Sequence, residues 1–339
     1  MSMPTSTVKS STMTGETKVM TYREAISEAL WEEMERDERI FILGEEVGVW
    51  GGTYAVTRGF YDHFGEKRVR DTPIAEQAIV GAAVGAAMNG LRPVAEIMTI
   101  NFAFLALDAM INSAAVARYM FGGQFSVPLV IRTTTGGGRQ LGATHSRAPE
   151  PVFAHFPGMY VVTPATPADA KGLLKAAIRS DNPVLFVEHS TLYQTRGEVP
   201  VGDYTIPLGK ADVKRAGADV TIVAYSKMVQ LSLQAAETLA KEGISAEVID
   251  LRGLRPLDLG PVFESFKKTN RCVVVEEATP FYNASGEVAA RLQAECFDYM
   301  DAPVKRVNAE DVPLPYSREL EQSALPTPAK IVQAVKEVL

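Results

Sequence analysis

The sequence predicts an α/β fold of two doubly wound domains, each a mostly parallel sheet covered by helices on both faces. Three observations carry this. Short apolar runs alternate with helical patterns along nearly the whole chain. Those runs are continuously apolar, as befits strands buried on both faces. The alternation breaks once, between 190 and about 215, where Pro200, Pro207 and several glycines intervene, and 339 residues are more than one core usually serves. The domains read as 19–205 and 206–339, after a disordered tail at 1–18.

The elements follow in order. Thr21 and Glu24 form a capping box ahead of Ala25, Ile26, Ala29, Leu30 and Met34 at helical spacing, and the strand IFIL at 40–43 follows. Pro73 and Gly90 bracket a second helix. Strand PVAEIM at 93–98, a helix from Phe104 to Met120, strands at 127–133 and 159–163, a helix from Pro167 to Arg179 and strand PVLFVE at 183–188 complete the first set. The second opens with DVTIVAYS at 219–226. It continues through a helix ending before Gly243, strand AEVIDLR at 246–252, a helix at 259–268, strand CVVVEE at 272–277, a helix near 285–299 and strand VKRVN.

Composition removes several classes of function. The chain is 46% hydrophobic and 22% charged, the balance of a globular protein, and its net charge of −7 opposes a nucleic-acid footprint. No apolar run reaches the ~20 residues a membrane span needs. Cys272 and Cys296 have neither metal-ligand spacing nor disulfide density, which points to reduced thiols in a cytoplasmic protein. The opening MSMPTSTVKSSTMTGETK has no apolar signal core and no Arg, arguing against secretory and mitochondrial leaders.

Ligands of such sheets bind beyond the carboxyl ends of strands, so the segments GEEVGVWGGTY, DTPIAEQ, MTINF and TTTGGGRQLGATHS are where chemistry should collect. Glu76 heads a helix whose next eighteen residues hold only three polar ones, Gln77, Asn89 and Arg92. An acid there answers the helix dipole, or, if buried, exchanges a proton with a ligand. Ala78, Ala82, Ala86, Gly81 and Gly85 predict close approach of neighbours on every side of that helix. GGGRQLG at 136–142 fits neither the dinucleotide fingerprint nor a Walker loop, so it reads equally as a loop needing positive φ. His145 ends that loop and has no companion histidines at metal-ligand spacing.

Taken together, LGEEVG, DTPIAEQ, VGAAMNGLRPVAEIMTINF, GATHS, VIDLRGLRPLD and DVPLPY resemble the beta subunits of thiamine diphosphate-dependent decarboxylases of 2-oxo acid dehydrogenase complexes, pyruvate dehydrogenase above all. The resemblance implies a transketolase-type pyrimidine-binding domain followed by a transketolase C-terminal domain, in an α2β2 heterotetramer that serves a dihydrolipoyl acyltransferase core. It implies that Glu76 bonds the aminopyrimidine ring nitrogen of thiamine diphosphate, that Met98 and Phe102 line the ring's pocket, and that His145 stands at the mouth for proton transfer or reductive acylation of lipoyl. It also implies a potassium site at Leu129, Ala177, Ile178, Ser180 and Asn182, with Ser180 in place of the aspartate of mitochondrial relatives. Arg147 replaces the glutamine usual after His-Ser. The family's diphosphate motif, Gly-Asp-Gly and a distant Asn, is missing, which implies that the alpha subunit holds the magnesium. Beta subunits of acetoin and of branched-chain 2-oxo acid dehydrogenases share nearly all these motifs. A non-catalytic scaffold subunit and a nicotinamide dehydrogenase stand as readings of other classes.

Overall fold

A computed structural model describes residues 15–339. The first part of the chain runs β1 (Thr17–Thr21), α1 (Tyr22–Arg36), β2 (Ile40–Gly44), α2 (Phe60–Phe64), β3 (Val69–Asp71), α3 (Glu76–Met88) and β4 (Arg92–Ile97). It continues with α4 (Ile100–Ala103), α5 (Ala117–Met120), β5 (Val130–Thr135), α6 (Glu150–Ala154), β6 (Tyr160–Val162), α7 (Pro167–Arg179), β7 (Val184–His189) and β8 (Arg196–Pro200). The second part holds β9 (Asp212–Arg215), β10 (Val220–Ala224), α8 (Lys227–Lys241), β11 (Ala246–Asp250), β12 (Gly253–Arg255), α9 (Gly260–Thr269), β13 (Cys272–Val275), α10 (Ala284–Glu295), β14 (Lys305–Val307), α11 (Arg318–Ala324) and α12 (Pro328–Lys336).

Two sheets result. The larger has the order β12-β6-β7-β5-β4-β2-β3, parallel except for β12, and the other has the order β14-β13-β10-β11-β9, parallel except for β9. The α/β architecture of the sequence reading therefore stands. From β2 the chain moves outward to β3, then crosses back to β4 on the other side, so the strand order reverses between β2 and β4. That is the switch point where such sheets open a crevice for ligands.

The local chemistry explains the elements. Thr21 accepts the Glu24 amide at 3.2 Å while the Glu24 carboxylate takes the Thr21 amide at 2.7 Å, the reciprocal box read from sequence. Thr166 caps α7 in the same way through Asp169, with Pro167 at the first turn. Helices α1 and α7 meet through ions as well as apolar groups: Lys171, wholly buried, reaches Glu28 at 2.5 Å and Glu32 at 2.8 Å, and Lys175 reaches Glu32 at 2.5 Å.

Four expectations need correction. Thr17 and Lys18 lie in β1, not in a tail, because their backbone pairs antiparallel with Pro200 and Val199 of β8; the rest of the predicted tail, to residue 14, lies outside the described residues. Helix α3 is not enclosed on every side. Glu76, Ile79, Val80, Ala83, Val84 and Ala87 are buried, but Gln77, Ala78, Gly81, Ala82 and Gly85 face outward, and a Cβ added to Gly81 or Gly85 would meet nothing within 4 Å. The single helix expected from Phe104 to Met120 is broken into a 3-10 turn at 104–106, a π turn at 109–114 and α5, with a 64° bend between its halves; the π turn packs against α3 and keeps Ala109, Met110 and Ala114 buried there. Finally, β12 departs from the two-set division of the strands, since Gly253 and Arg255 pair with Val162 and Val161 of β6 in the first sheet.

Candidate active site

The carboxyl ends of β3, β2, β4 and β5 lie side by side, and each delivers one of the segments singled out in the sequence. Glu76 opens α3 just beyond β3. It is 4% exposed, yet its carboxylate makes no hydrogen bond or ion pair among the described residues. Beyond β2 stands Glu45, whose Oε1 is buried and also without a partner. Burial first, then the charges of Glu76, Glu46 and Glu96, push the Glu45 carboxyl above its usual range. Two neighbouring acids that lack partners form a place that a ligand's donor group must fill.

The same edge is built for close approach. Gly52, at φ +76°, brings its backbone to a point where a Cβ would lie 2.9 Å from the Glu96 carboxylate, and one on Gly44 would lie 2.7 Å from the Glu96 carbonyl. Glu96 is held from beneath by Arg132 at 2.7 Å, and the same guanidinium takes both oxygens of Glu188, at 2.7 and 2.9 Å. Tyr193 donates to Glu188 at 2.6 Å. This bidentate Arg132 network was missed in the sequence because its members lie on three separate strands and a loop, with no local pattern between them.

Met98 follows β4 and is half-buried, its carbonyl accepting from Thr134 Oγ1 at 2.9 Å. Phe102 lies in α4 and meets the His145 ring edge to face, with centroids 5.1 Å apart and planes at 83°. His145 is exposed, and its Nδ1 is 2.8 Å from Thr144 Oγ1. The structure thus joins Phe102 to His145 directly and sets Glu76, Met98 and the His145 loop along neighbouring strand ends. Around them Val49, Trp50, Ile74, Leu141 and Tyr316 are exposed by 40 to 81%. A groove of about 1030 Å³ between Phe156, Arg255 and Tyr282 lies elsewhere and includes none of the four predicted residues.

The expected potassium ligands are neighbours, but their carbonyls are occupied. Arg92 donates to Ile178 at 3.0 Å and to Ser180 at 2.6 Å, and its guanidinium pairs with Asp181 at 3.0 Å. Leu129 accepts from Val184 at 2.8 Å, Ala177 from Ser180 at 3.2 Å, and Asn182 from Ser180 Oγ at 3.3 Å. Each of these carbonyls thus accepts at least one donor already, and the Arg92 guanidinium brings its charge to two of them.

With this geometry in hand, comparison with known proteins separates the class from the family. Residues 18–196 match the transketolase pyrimidine-binding domain and residues 209–331 the transketolase C-terminal domain. A split-gene transketolase, solved as an inactive beta4 tetramer, shares the fold with a TM-score of 0.79 at 28% identity, over 94% of this chain and 98% of its own. Transketolase from Campylobacter jejuni gives a TM-score of 0.68 at 17% identity, over 94% of this chain and 47% of its own. The class is therefore the transketolase-type, thiamine diphosphate-dependent one.

Sequence relatives narrow it. The mitochondrial pyruvate dehydrogenase E1 component subunit beta-2 of Oryza sativa subsp. japonica is 49% identical, over 94% of this chain and 86% of its own length. The pyruvate dehydrogenase E1 component subunit beta of Rhizobium meliloti is 48% identical, over 95% and 70%. The 2-oxoisovalerate dehydrogenase subunit beta of Bacillus subtilis is 47% identical, over 94% and 98%. This chain belongs to the family of 2-oxo acid dehydrogenase E1 beta subunits, among which pyruvate dehydrogenase relatives predominate.

Proposed function

We propose that this chain is the beta subunit of a cytoplasmic pyruvate dehydrogenase and works with an alpha subunit in an α2β2 heterotetramer. The observation that carries the reading is Glu76: a carboxylate 4% exposed, at the switch point of the sheet, with no hydrogen-bond or ion-pair partner among the described residues. The residues present fit the aminopyrimidine half of thiamine diphosphate, since the buried, unpartnered Oε1 of Glu45 beside the carboxylate of Glu76 calls for a donor there. When bound, that cofactor supplies the electron sink for loss of carbon dioxide from a 2-oxo acid.

The chain's own part is proton handling and positioning. Glu76 holds and returns a proton at the aminopyrimidine ring nitrogen. Met98 and Phe102 cover the ring and exclude water. His145, steadied by Phe102, acts at the mouth, where the lipoyl group of the acyltransferase core receives the acetyl group. The rim of exposed apolar residues supports a covering partner, and the alpha subunit is the reading's source of magnesium and diphosphate ligands.

The test is to assemble the chain with its alpha subunit and compare turnover of pyruvate with that of branched 2-oxo acids and acetoin. Preference for pyruvate is the expected result. Preference for the branched acids would transfer the chain to the second reading, which rests on the Bacillus subtilis relative. The chain alone should bind thiamine diphosphate poorly, and submicromolar binding in calorimetry without any partner would end the half-site idea.

A further inference from the structure

The loop that carries His145 is held by both domains: its own supplies the Ser190 carbonyl to Arg139 at 2.8 Å and the Phe102 ring to His145, and the second domain supplies more. At its base Gly136 donates to the Arg147 carbonyl at 3.2 Å, but the turn beyond projects into the second domain. There the Gly137 amide meets Glu277 Oε1 at 2.6 Å, and the other oxygen of Glu277 meets His189 Nε2 at 2.9 Å. Glu321, in α11 and 0% exposed, does more. It accepts the Gly138 amide at 3.0 Å, the Gln140 amide at 3.2 and 3.3 Å, and the Gln140 side-chain Nε2 at 3.0 Å.

The backbone shows why such a grip is needed. Gln140 sits at φ +55°, a left-handed conformation that a non-glycine adopts only when its surroundings hold it there. Gly138 and Gly142 have φ +98° and +75°, and a Cβ on Gly142 would fall 2.5 Å from the Tyr316 ring. One carboxylate, more than 180 residues away in sequence, therefore supplies the bonds that pin Gly138 and Gln140, on either side of Arg139, in a strained turn. Charge-assisted bonds from amides to a buried carboxylate are roughly twice as strong as neutral ones.

We propose that Glu321 is a positioning residue for His145: by clamping Gly138 and Gln140, the second domain sets where the histidine stands at the mouth of the site. Nothing in the chemistry of the Glu76 edge requires α11, so this gives the C-terminal domain a part in the reaction beyond scaffolding. The inference rests on the role assigned to His145 above, and its test keeps the two apart.

The experiment uses the full chain assembled with its alpha subunit, as wild type and as Glu321→Gln, whose single acceptor oxygen cannot serve all the donors. Hydrogen exchange reads the clamp directly. Amides of residues 136–145 should exchange about tenfold faster or more, with protection of the two sheets unchanged. Unchanged exchange in the loop, or a rise spread through the whole domain, overturns the proposal. Activity reads its consequence. Acylation of a lipoyl domain should fall by up to about 10²-fold, the scale of a displaced catalytic group, while pyruvate decarboxylation with ferricyanide as acceptor and the KM for pyruvate stay near wild type. A second Glu321→Gln substitution made on His145→Ala should cost nothing more. A faster-exchanging loop with an unaltered ratio of acylation to decarboxylation would leave Glu321 structural only and refute the positioning role. Failure of wild-type enzyme to act on 2-oxo acids would instead refute the functional reading, and the exchange result would still decide the clamp. Should Glu321→Gln not fold, Glu321→Asp, which keeps the charge but withdraws it by one methylene, takes its place with the same outcomes.

Discussion

Glu76 at the head of α3 and Glu321 in α11 are both almost wholly buried acids, at 4% and 0% exposure, and they are opposites in everything else. Glu321 is saturated by donors from a loop of the other domain, whereas Glu76 has no donor among the described residues. Burying a carboxylate costs several kcal/mol unless hydrogen bonds replace its water. The saturated acid meets that cost within the fold, so its purpose is complete in the folded chain. The unsaturated one meets it only when something else arrives. Partner count, more than burial, is what separates an acid that acts through its own fold from one that awaits a ligand here.

The largest effect expected from disturbing this contrast is at Glu76. Glu76→Gln keeps the shape but cannot deliver a proton, so decarboxylation by the assembled enzyme should fall by about 10² to 10⁴. Thermal stability should be unchanged or slightly higher, because a buried charge is removed without robbing any donor. If turnover stays near wild type in the same preparation that is used for melting, Glu76 is no more than a helix-dipole acid.

Turning a saturated acid into an unsaturated one should do the reverse. Arg132→Met strips Glu188 of both its guanidinium bonds and Glu96 of its one, leaving two buried acids exposed to each other. A loss of about 3 to 5 kcal/mol in denaturant unfolding is expected. A loss below about 1 kcal/mol would mean that the network carries little.

Glu150 is the intermediate case. It is 1% exposed, its Oε2 has no partner, and burial, opposed by a bond from Thr135 and aided by the charges of Glu277 and Glu276, raises its pKa to about 8. A carboxyl raised in the fold keeps its proton there while the unfolded chain has already lost it, so its contribution to stability is full below the unfolded value near ~4.3 and is lost as pH climbs to about 8. Glu150→Gln should accordingly leave the melting temperature alone at about pH 5 and raise it by a few degrees at about pH 9. Equal shifts at both pH values would show that Glu150 is ionised throughout.

The smallest effect is on the outer face of α3. Gly81→Ala should stabilise the isolated chain by about 0.5 to 1 kcal/mol, since the added methyl meets open space and the helix gains propensity. A destabilised isolated chain would mean that this face is packed after all.

What the sequence revealed and what it hid follow one physical rule. Elements with a clear local pattern were readable: α7 runs from Pro167 to Arg179 as its sequence foretold, and Glu76 stood out because an acid beside an apolar run is a local anomaly. The strand ends also placed Met98, Phe102 and His145 on one edge, because parallel α/β order is encoded in alternation. Glu321, Glu277 and Arg132 stayed hidden, for their meaning lies in contacts 36 to 183 residues away. The outward face of α3 was misjudged because small residues pack equally well inside a core or on a surface awaiting cover, and composition alone does not distinguish them.

One further consequence follows from β12. Only three residues long, it leaves the second half of the chain to line the free side of β6 in the first. A fragment cut in the proline-rich stretch near residue 205 would therefore be more than a shortened enzyme: it would display the naked hydrogen-bonding rim of β6, which neighbouring molecules can extend into aggregates. Residues 253–255 act as a selvedge, and the two halves are safest when made as a single piece.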